Sequence, residues 1–198
     1  MAANNNNDWK IIILFDMSGS MEKFMEQTPT AIDTINEFIK IQKEEQKEGT
    51  RVNMSLYFFN DLLINVFEDK SLKDVVLVNE SNYKPDGTTG LLDSIGKTIN
   101  KYEKEKNVYF VILTDGFENS STEYTSKDIN KLITTKKNNG WKFNFLGTNQ
   151  DSWKVGNKMG LERVDCMNYE NSSEGLIRSF RQVGTIVRES TQPGNIFE

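Results

Sequence analysis

The sequence has no histidine, and its 198 residues include a single cysteine, Cys166. The first absence excludes a Ser-His-Asp or Cys-His catalytic unit and any imidazole-ligated zinc, copper or haem site within the chain. The second excludes an internal disulfide and a thiolate cluster. A metal held by this chain therefore rests on oxygen ligands, which points to Mg²⁺ or Mn²⁺, with Ca²⁺ a further oxygen-ligated ion, and acid–base chemistry falls to Asp, Glu, Lys or Tyr. Long apolar runs are also missing: a run such as 11–15 is far too short to span a bilayer. Met1 is followed by two Ala and four Asn rather than by a basic and then an apolar stretch, so no signal peptide is expected. With one cysteine, these features lead to the expectation of a cytoplasmic protein, or a virion component if the chain is viral. A net charge of −5 argues against unspecific binding to nucleic acid or an anionic membrane. Neither a G-x-x-x-x-G-K-[ST] loop nor a G-x-G-x-x-G turn after a strand is present.

The length predicts one domain, burying roughly 70% of its unfolded surface without disulfide or metal staples. Residues 1–8, polar and Asn-rich, are expected to be a disordered leader, 9–191 the domain, and 192–198 a tail. From Trp9 onward, short continuous apolar runs alternate with longer segments of helical spacing. The runs at 11–15, 52–59, 108–113, 141–146 and 164–167 predict strands, most of them buried on both faces. Asn60-Asp61 predicts a tight turn into a hairpin strand at 62–67. Helices are expected behind Thr28-Pro29 (Ile32, Ile35, Ile39), at Leu92, Ile95, Ile99 and Tyr102, behind Thr125/Ser126 (Ile129, Leu132, Ile133), and behind Asp151. A last helix, 173–191, carries Leu176, Phe180, Val183 and Val187 at i, i+4, i+7 and i+11, with Asn171 and Glu174 as a capping box. This order predicts an α/β fold: a mostly parallel sheet with one antiparallel edge strand and helices on both faces.

Chemistry concentrates in three loop segments, two behind strands and one ahead of a helix. Asp16-Met17-Ser18-Gly19-Ser20 follows the first strand, Asp86-Gly87-Thr88-Thr89-Gly90 opens a helix, and Thr114-Asp115-Gly116 ends the 108–113 strand. Ligands of open parallel sheets bind beyond the carboxyl ends of strands, at the point where strand order reverses. An Asp with two Ser at alternate positions offers three oxygens, a partial shell for a hard octahedral cation. By spacing alone the same residues serve equally as caps and turns around the following helices.

Together, Asp16-Met17-Ser18-Gly19-Ser20-Met21, Gly87-Thr88-Thr89-Gly90-Leu91-Leu92-Asp93 and Leu113-Thr114-Asp115-Gly116 resemble the von Willebrand factor A (vWA) domain with its metal-ion-dependent adhesion site (MIDAS), D-x-S-x-S…T…D. The resemblance runs from about Trp9 to Arg188, and segments such as 115–121 and 140–151 look like stand-alone bacterial and phage vWA proteins. It implies a Rossmann-like three-layer α/β/α fold with six strands in the order 3-2-1-4-5-6. It also implies that Ser18 and Ser20 bind Mg²⁺ or Mn²⁺ directly, that Thr89 does so in the ligand-competent state, and that Asp16 and Asp115 hold coordinating waters and serine hydroxyls. In relatives, exchange between the Thr and the second Asp as direct ligands is linked to movement of the last helix.

The function so implied is a protein-binding adhesion or adaptor module that docks a partner's Asp or Glu on the metal, not an enzyme. The alternatives are a structural or assembly subunit of a phage particle or bacterial complex, with a metal that rigidifies loops, or a Mg²⁺-dependent hydrolase or phosphotransferase. Against the last, Ser18 stands where a second acid would be needed. Partner choice is expected to fall to a rim of Met17, Met21, Glu22, Phe24, Asn60, Phe117, Glu118, Asn149 and Gln150.

Overall fold

Strand β1 (Asp8–Asp16) is buried on both faces from Ile11 onward, and the rest of the molecule is arranged by that fact. The computed structural model describes residues 8–44, 50–148 and 152–192. On either side of β1 lie β2 (Arg51–Phe59) and β4 (Val108–Thr114), both parallel to it, with Leu14 opposite Tyr57 and Ile112. Then come β5 (Lys142–Thr148) and β6 (Cys166–Tyr169) on one flank, and β3 (Leu63–Ser71), the only antiparallel member among the described residues, on the other. The order is β3-β2-β1-β4-β5-β6, as expected, so the order in which strands are added switches from one side of β1 to the other at β4.

Successive side chains of a strand face opposite sides, so β1 supplies both cores. Ile11, Ile13 and Phe15 pack with α1 (Ala31–Lys43) and α5 (Ser173–Thr191) through Ile35, Phe38, Ile39, Leu176, Phe180 and Val183. Ile12 and Leu14 pack with α2 (Leu91–Lys101) and α3 (Ser126–Asn138) through Leu91, Ile95, Ile99, Ile129 and Ile133. A fifth helix in space, α4 (Ser152–Lys158), covers the β5–β6 end through Val155. Each such aliphatic or aromatic side chain contributes about 1.5–3 kcal/mol on burial.

Local chemistry moved several expected boundaries. The first helix starts later than Pro29: Thr30 is its cap and forms a reciprocal box with Asp33, because Thr30, not Thr28, has the acid three residues on. Helix α5 is capped one residue past Asn171, where Ser172 accepts from the Gly175 N–H at 3.1 Å. Strand β3 runs to Ser71, four residues further than its apolar stretch, because an edge strand tolerates charge on its solvent side. Its register shifts opposite Met54–Tyr57, and Asp69 has φ +47°, held by Asn53 Nδ2 and Ser55 Oγ. Gly147 does not stop β5 but pairs with Thr114 and Asn168 inside it. Strand β6 begins two residues later than Val164, which is exposed, and turns Tyr169 inward. Asp8 belongs to β1 rather than to a leader, and Gln192 lies just past α5. Residues 1–7, 193–198 and the Asp151 cap lie outside the described residues.

Candidate functional site

Three loops converge at the carboxyl ends of β1 and β4. Asp16 is the last residue of β1 and is wholly buried. Its Oδ1 accepts from the Ser18 N–H at 2.7 Å and its Oδ2 from Thr114 Oγ1 at 2.5 Å, while Tyr83 Oη donates to its carbonyl at 2.6 Å. Burial pushes the Asp16 carboxyl up to about 6; the Thr114 and Ser18 hydrogen bonds oppose this, and the nearby Asp115 charge adds to it.

Ser18 Oγ and Ser20 Oγ are 3.1 Å apart, and Ser20 Oγ donates to Asp115 Oδ1 at 2.5 Å. Thr89 is fixed from both sides of its peptide: its N–H donates to Asn119 Oδ1 at 2.8 Å, and its carbonyl accepts from the Asn119 N–H at 3.1 Å. The 87–90 loop is joined to the 16–20 loop by Gly19 N–H donating to the Gly87 carbonyl at 3.1 Å. Gly87 has φ +75°, which favours glycine, and a Cβ there would lie 2.7 Å from Asp61 Oδ1.

Gly116 locates the focus of the three loops. A Cβ placed on it would lie 3.0 Å from Thr89 Oγ1, 3.5 Å from Ser20 Oγ and 3.8 Å from Ser18 Oγ. Three neutral hydroxyls from two distant segments thus surround one small space, with Asp16 and Asp115 behind them. Adjacent ligands of an octahedral ion at about 2.1 Å are about 3.0 Å apart, which is the Ser18–Ser20 separation to within about 0.1 Å. Among the described residues, no three acidic or cysteine side chains gather as a metal-holding group, so an ion at this focus depends on the hydroxyls. The donor set therefore fits a hard divalent cation. Gly116→Ala is expected to keep the fold, because no positive φ requires glycine there, and to weaken Mn²⁺ binding by about 10–100-fold by crowding Thr89. Titration followed by the electron paramagnetic resonance of free Mn²⁺ checks this; unchanged affinity would remove Gly116 from the focus.

One contact had no signal in the motif. Ser20 and Lys23 share the 3-10 segment Gly19–Phe24, where residues three apart eclipse. Lys23 Nζ lies 2.7 Å from Asp115 Oδ2, a charge contact without hydrogen-bond geometry, and that buried oxygen accepts no hydrogen bond. Thr114, Asn119 and Tyr83 were also missed as supports, although Thr114 and Asn119 stand inside the segments that carry the resemblance.

The expected rim is largely interior. Met17 is buried, Met21 and Phe24 are fully enclosed, and Phe24 packs with Tyr169. These apolar side chains hold the loop down from beneath, so they offer no contact to a partner. Asn60 is a brace: its Nδ2 donates to the Asp86 carbonyl and its Oδ1 accepts from Leu62 N–H. Glu118 turns inward, accepting from Leu92, Ser120 and Ser121 N–H groups and from Ser121 Oγ. Asp93, in the first turn of α2, accepts from the N–H groups of Thr122, Glu123 and Tyr124 and ties the same loop to α2. Glu22 is exposed, and Phe117, 65% exposed beside Gly116, stands out from the surface. Asn149 and Gln150 lie outside the described residues.

The model of the von Willebrand factor type A domain matches residues 10–183. No curated protein matches the chain. Among solved structures, the PilB minor pilin from Streptococcus sanguinis is similar at 13% identity and a TM-score of 0.66, over 95% of this chain and 63% of that one. The vWF domain of the type V pili tip protein Mfa5 from Porphyromonas gingivalis is similar at 11% identity and a TM-score of 0.68, over 95% and 97%. Proximal thread matrix protein 1 from the mussel byssus, with a zinc-occupied MIDAS motif, is similar at 15% identity and a TM-score of 0.60, over 91% and 46%. The chain thus spans less than two-thirds of the length of two of these three. At such identities the shared property is the fold.

Proposed function

We propose that this chain, which belongs to the von Willebrand factor type A domain family, is a protein-binding module that holds Mg²⁺ or Mn²⁺ and receives a partner's Asp or Glu side chain. The observation that carries the reading is the convergence of Ser18, Ser20 and Thr89 hydroxyls on one space beside Gly116, backed by Asp16 and Asp115. Ser18, Ser20 and Thr89 would hold the ion directly; Asp16 and Asp115 would hold its waters and orient the serines. A divalent ion among neutral hydroxyls keeps much of its charge and accepts a further anionic oxygen. The chain's own residues do the rest: Thr114 and the Ser18 N–H orient Asp16, Asn119 fixes Thr89, and Phe117 offers an apolar contact next to the docked carboxylate. Ser18 stands where a phosphotransferase would need a second acid, which favours recognition over turnover.

The test is capture of partners by the immobilised chain from its native host in Mg²⁺, with and without EDTA. Capture is expected to be lost in EDTA and in Asp16→Ala. Capture that survives EDTA, while Mn²⁺ still raises the melting temperature by mass action, would overturn it in favour of a subunit whose metal only stiffens these loops.

A further inference from the structure

We propose that Lys23 is a tethered cation that neutralises this site in the metal-free protein and competes with the divalent ion, so that Lys23 sets the affinity of the site. The inference rests on the metal-binding reading above and concerns the regulation of that site.

Asp115 faces two ways. One carboxylate oxygen accepts from Ser20 Oγ; the other is buried, accepts no hydrogen bond, and has the Lys23 ammonium 2.7 Å away. The Asp115 side chain is wholly inaccessible, whereas that of Lys23 is 37% exposed. A buried carboxylate oxygen without a hydrogen bond is costly unless a charge stands beside it. The hydroxyls of Ser18, Ser20 and Thr89 bring no charge, so Lys23 is the cation that offsets Asp115 in this arrangement.

A divalent ion at the focus of the hydroxyls would supply that offset itself. The same Asp115 would then face two cations within a few ångströms, and like charges at that distance repel strongly in a buried setting. Lys23 is the one that can leave: it sits on the short segment Gly19–Phe24 and its side chain is 37% exposed, so the ammonium can turn out to solvent. Ion and ammonium therefore alternate at Asp115. Metal affinity is reduced by the fraction of molecules in which Lys23 holds the carboxylate; with Lys23 in place in about nine molecules of ten, its removal tightens binding about tenfold.

The experiment uses the full chain as wild type, Lys23→Met, Lys23→Gln and Lys23→Arg. Mn²⁺ binding is read by the electron paramagnetic resonance of the free ion, and metal-free stability by melting in EDTA. Both neutral variants are expected to bind Mn²⁺ about tenfold more tightly than wild type and to melt lower in EDTA, with Lys23→Arg close to wild type in both. A purely structural lysine predicts lower melting with unchanged affinity, and that result overturns the proposal. So does weaker binding in both neutral variants. If either neutral variant fails to fold, the other carries the comparison, since Gln keeps a polar head and Met keeps the apolar stem. Equal affinity in wild type and variants overturns this proposal alone, whereas no binding in any of them overturns the metal reading and this proposal together.

Discussion

Asp16→Asn is expected to melt higher than the wild-type chain in EDTA at pH 8, and to gain nothing from Mn²⁺. Burial holds the Asp16 carboxyl at about 6 against an ordinary value of 3.8. The native state therefore binds this proton more tightly than the unfolded chain does. Wild-type stability falls as pH rises from about 4 to about 6, and above that window the full cost of a buried carboxylate is present. That difference corresponds to about 3 kcal/mol, or roughly 6–12 °C of melting temperature for a domain of this size. Asparagine fits the same hydrogen bonds. Its Oδ1 replaces the acceptor for Ser18 N–H, and its Nδ2 donates to Thr114 Oγ1, whose own proton then turns to the Gly116 carbonyl at 3.2 Å. The neutral side chain removes the charge that a cation needs behind Ser18. Scanning calorimetry at pH 4, 6 and 8, with EDTA or Mn²⁺, checks both halves. The two curves should converge at pH 4; a variant that melts lower at pH 8 would mean that the carboxylate hydrogen bonds outweigh its burial.

Phe180→Ala is expected to cost about 3–5 kcal/mol, the largest loss of stability from a single truncation proposed here. Phe180 lies on α5 between two other rings: its centroid is 4.9 Å from that of Phe38 on α1 and 5.7 Å from that of Phe15 on β1. Each of the three is fully buried. Removing the central ring empties the seam between α1, α5 and the sheet, and the aromatic edge contacts of about 0.5–1.5 kcal/mol each go with it. Phe15 directly precedes Asp16, so the same truncation loosens the support of the site. Urea denaturation is expected to show a lower midpoint with an unchanged slope, and Mn²⁺ to bind more weakly than in wild type. A loss under about 1.5 kcal/mol would show that the seam collapses around the gap.

The architecture was legible because its signals are periodic. Continuous apolar runs such as 11–15 and 108–113 have one cheap solution, a strand covered on both faces, and the intervening stripes then place the helices. Boundaries drifted where a capping side chain decided them, as at Thr30 and Ser172, or where an edge strand carried charge, as at residues 68–70. The convergence of Asp16, Ser18, Ser20, Thr89 and Asp115 at one end of the sheet was legible from a combination of short motifs at strand and helix ends. The rim was not. Whether Phe24 or Phe117 faces solvent depends on how its own loop rolls, and hydrophobicity is the same in either orientation. The structure buries the first and exposes the second. Lys23 escaped notice for a related reason: a lysine three residues beyond a serine means little until the turn is known to be 3-10.

The two margins of the sheet have a consequence for how copies of this chain behave in concentrated solution. An open strand is a template on which another chain can extend the ladder, and from there fibrous aggregates grow. One margin, β3, carries Glu68, Asp69 and Lys70 and has a register shift against β2, with Asp69 forced to φ +47°. The other, β6, offers only four residues. Neither presents the long, flat, uncharged border that edge-to-edge growth requires. Strand-by-strand aggregation is therefore disfavoured at both ends of the sheet, even though its interior strands are among the most apolar segments of the chain.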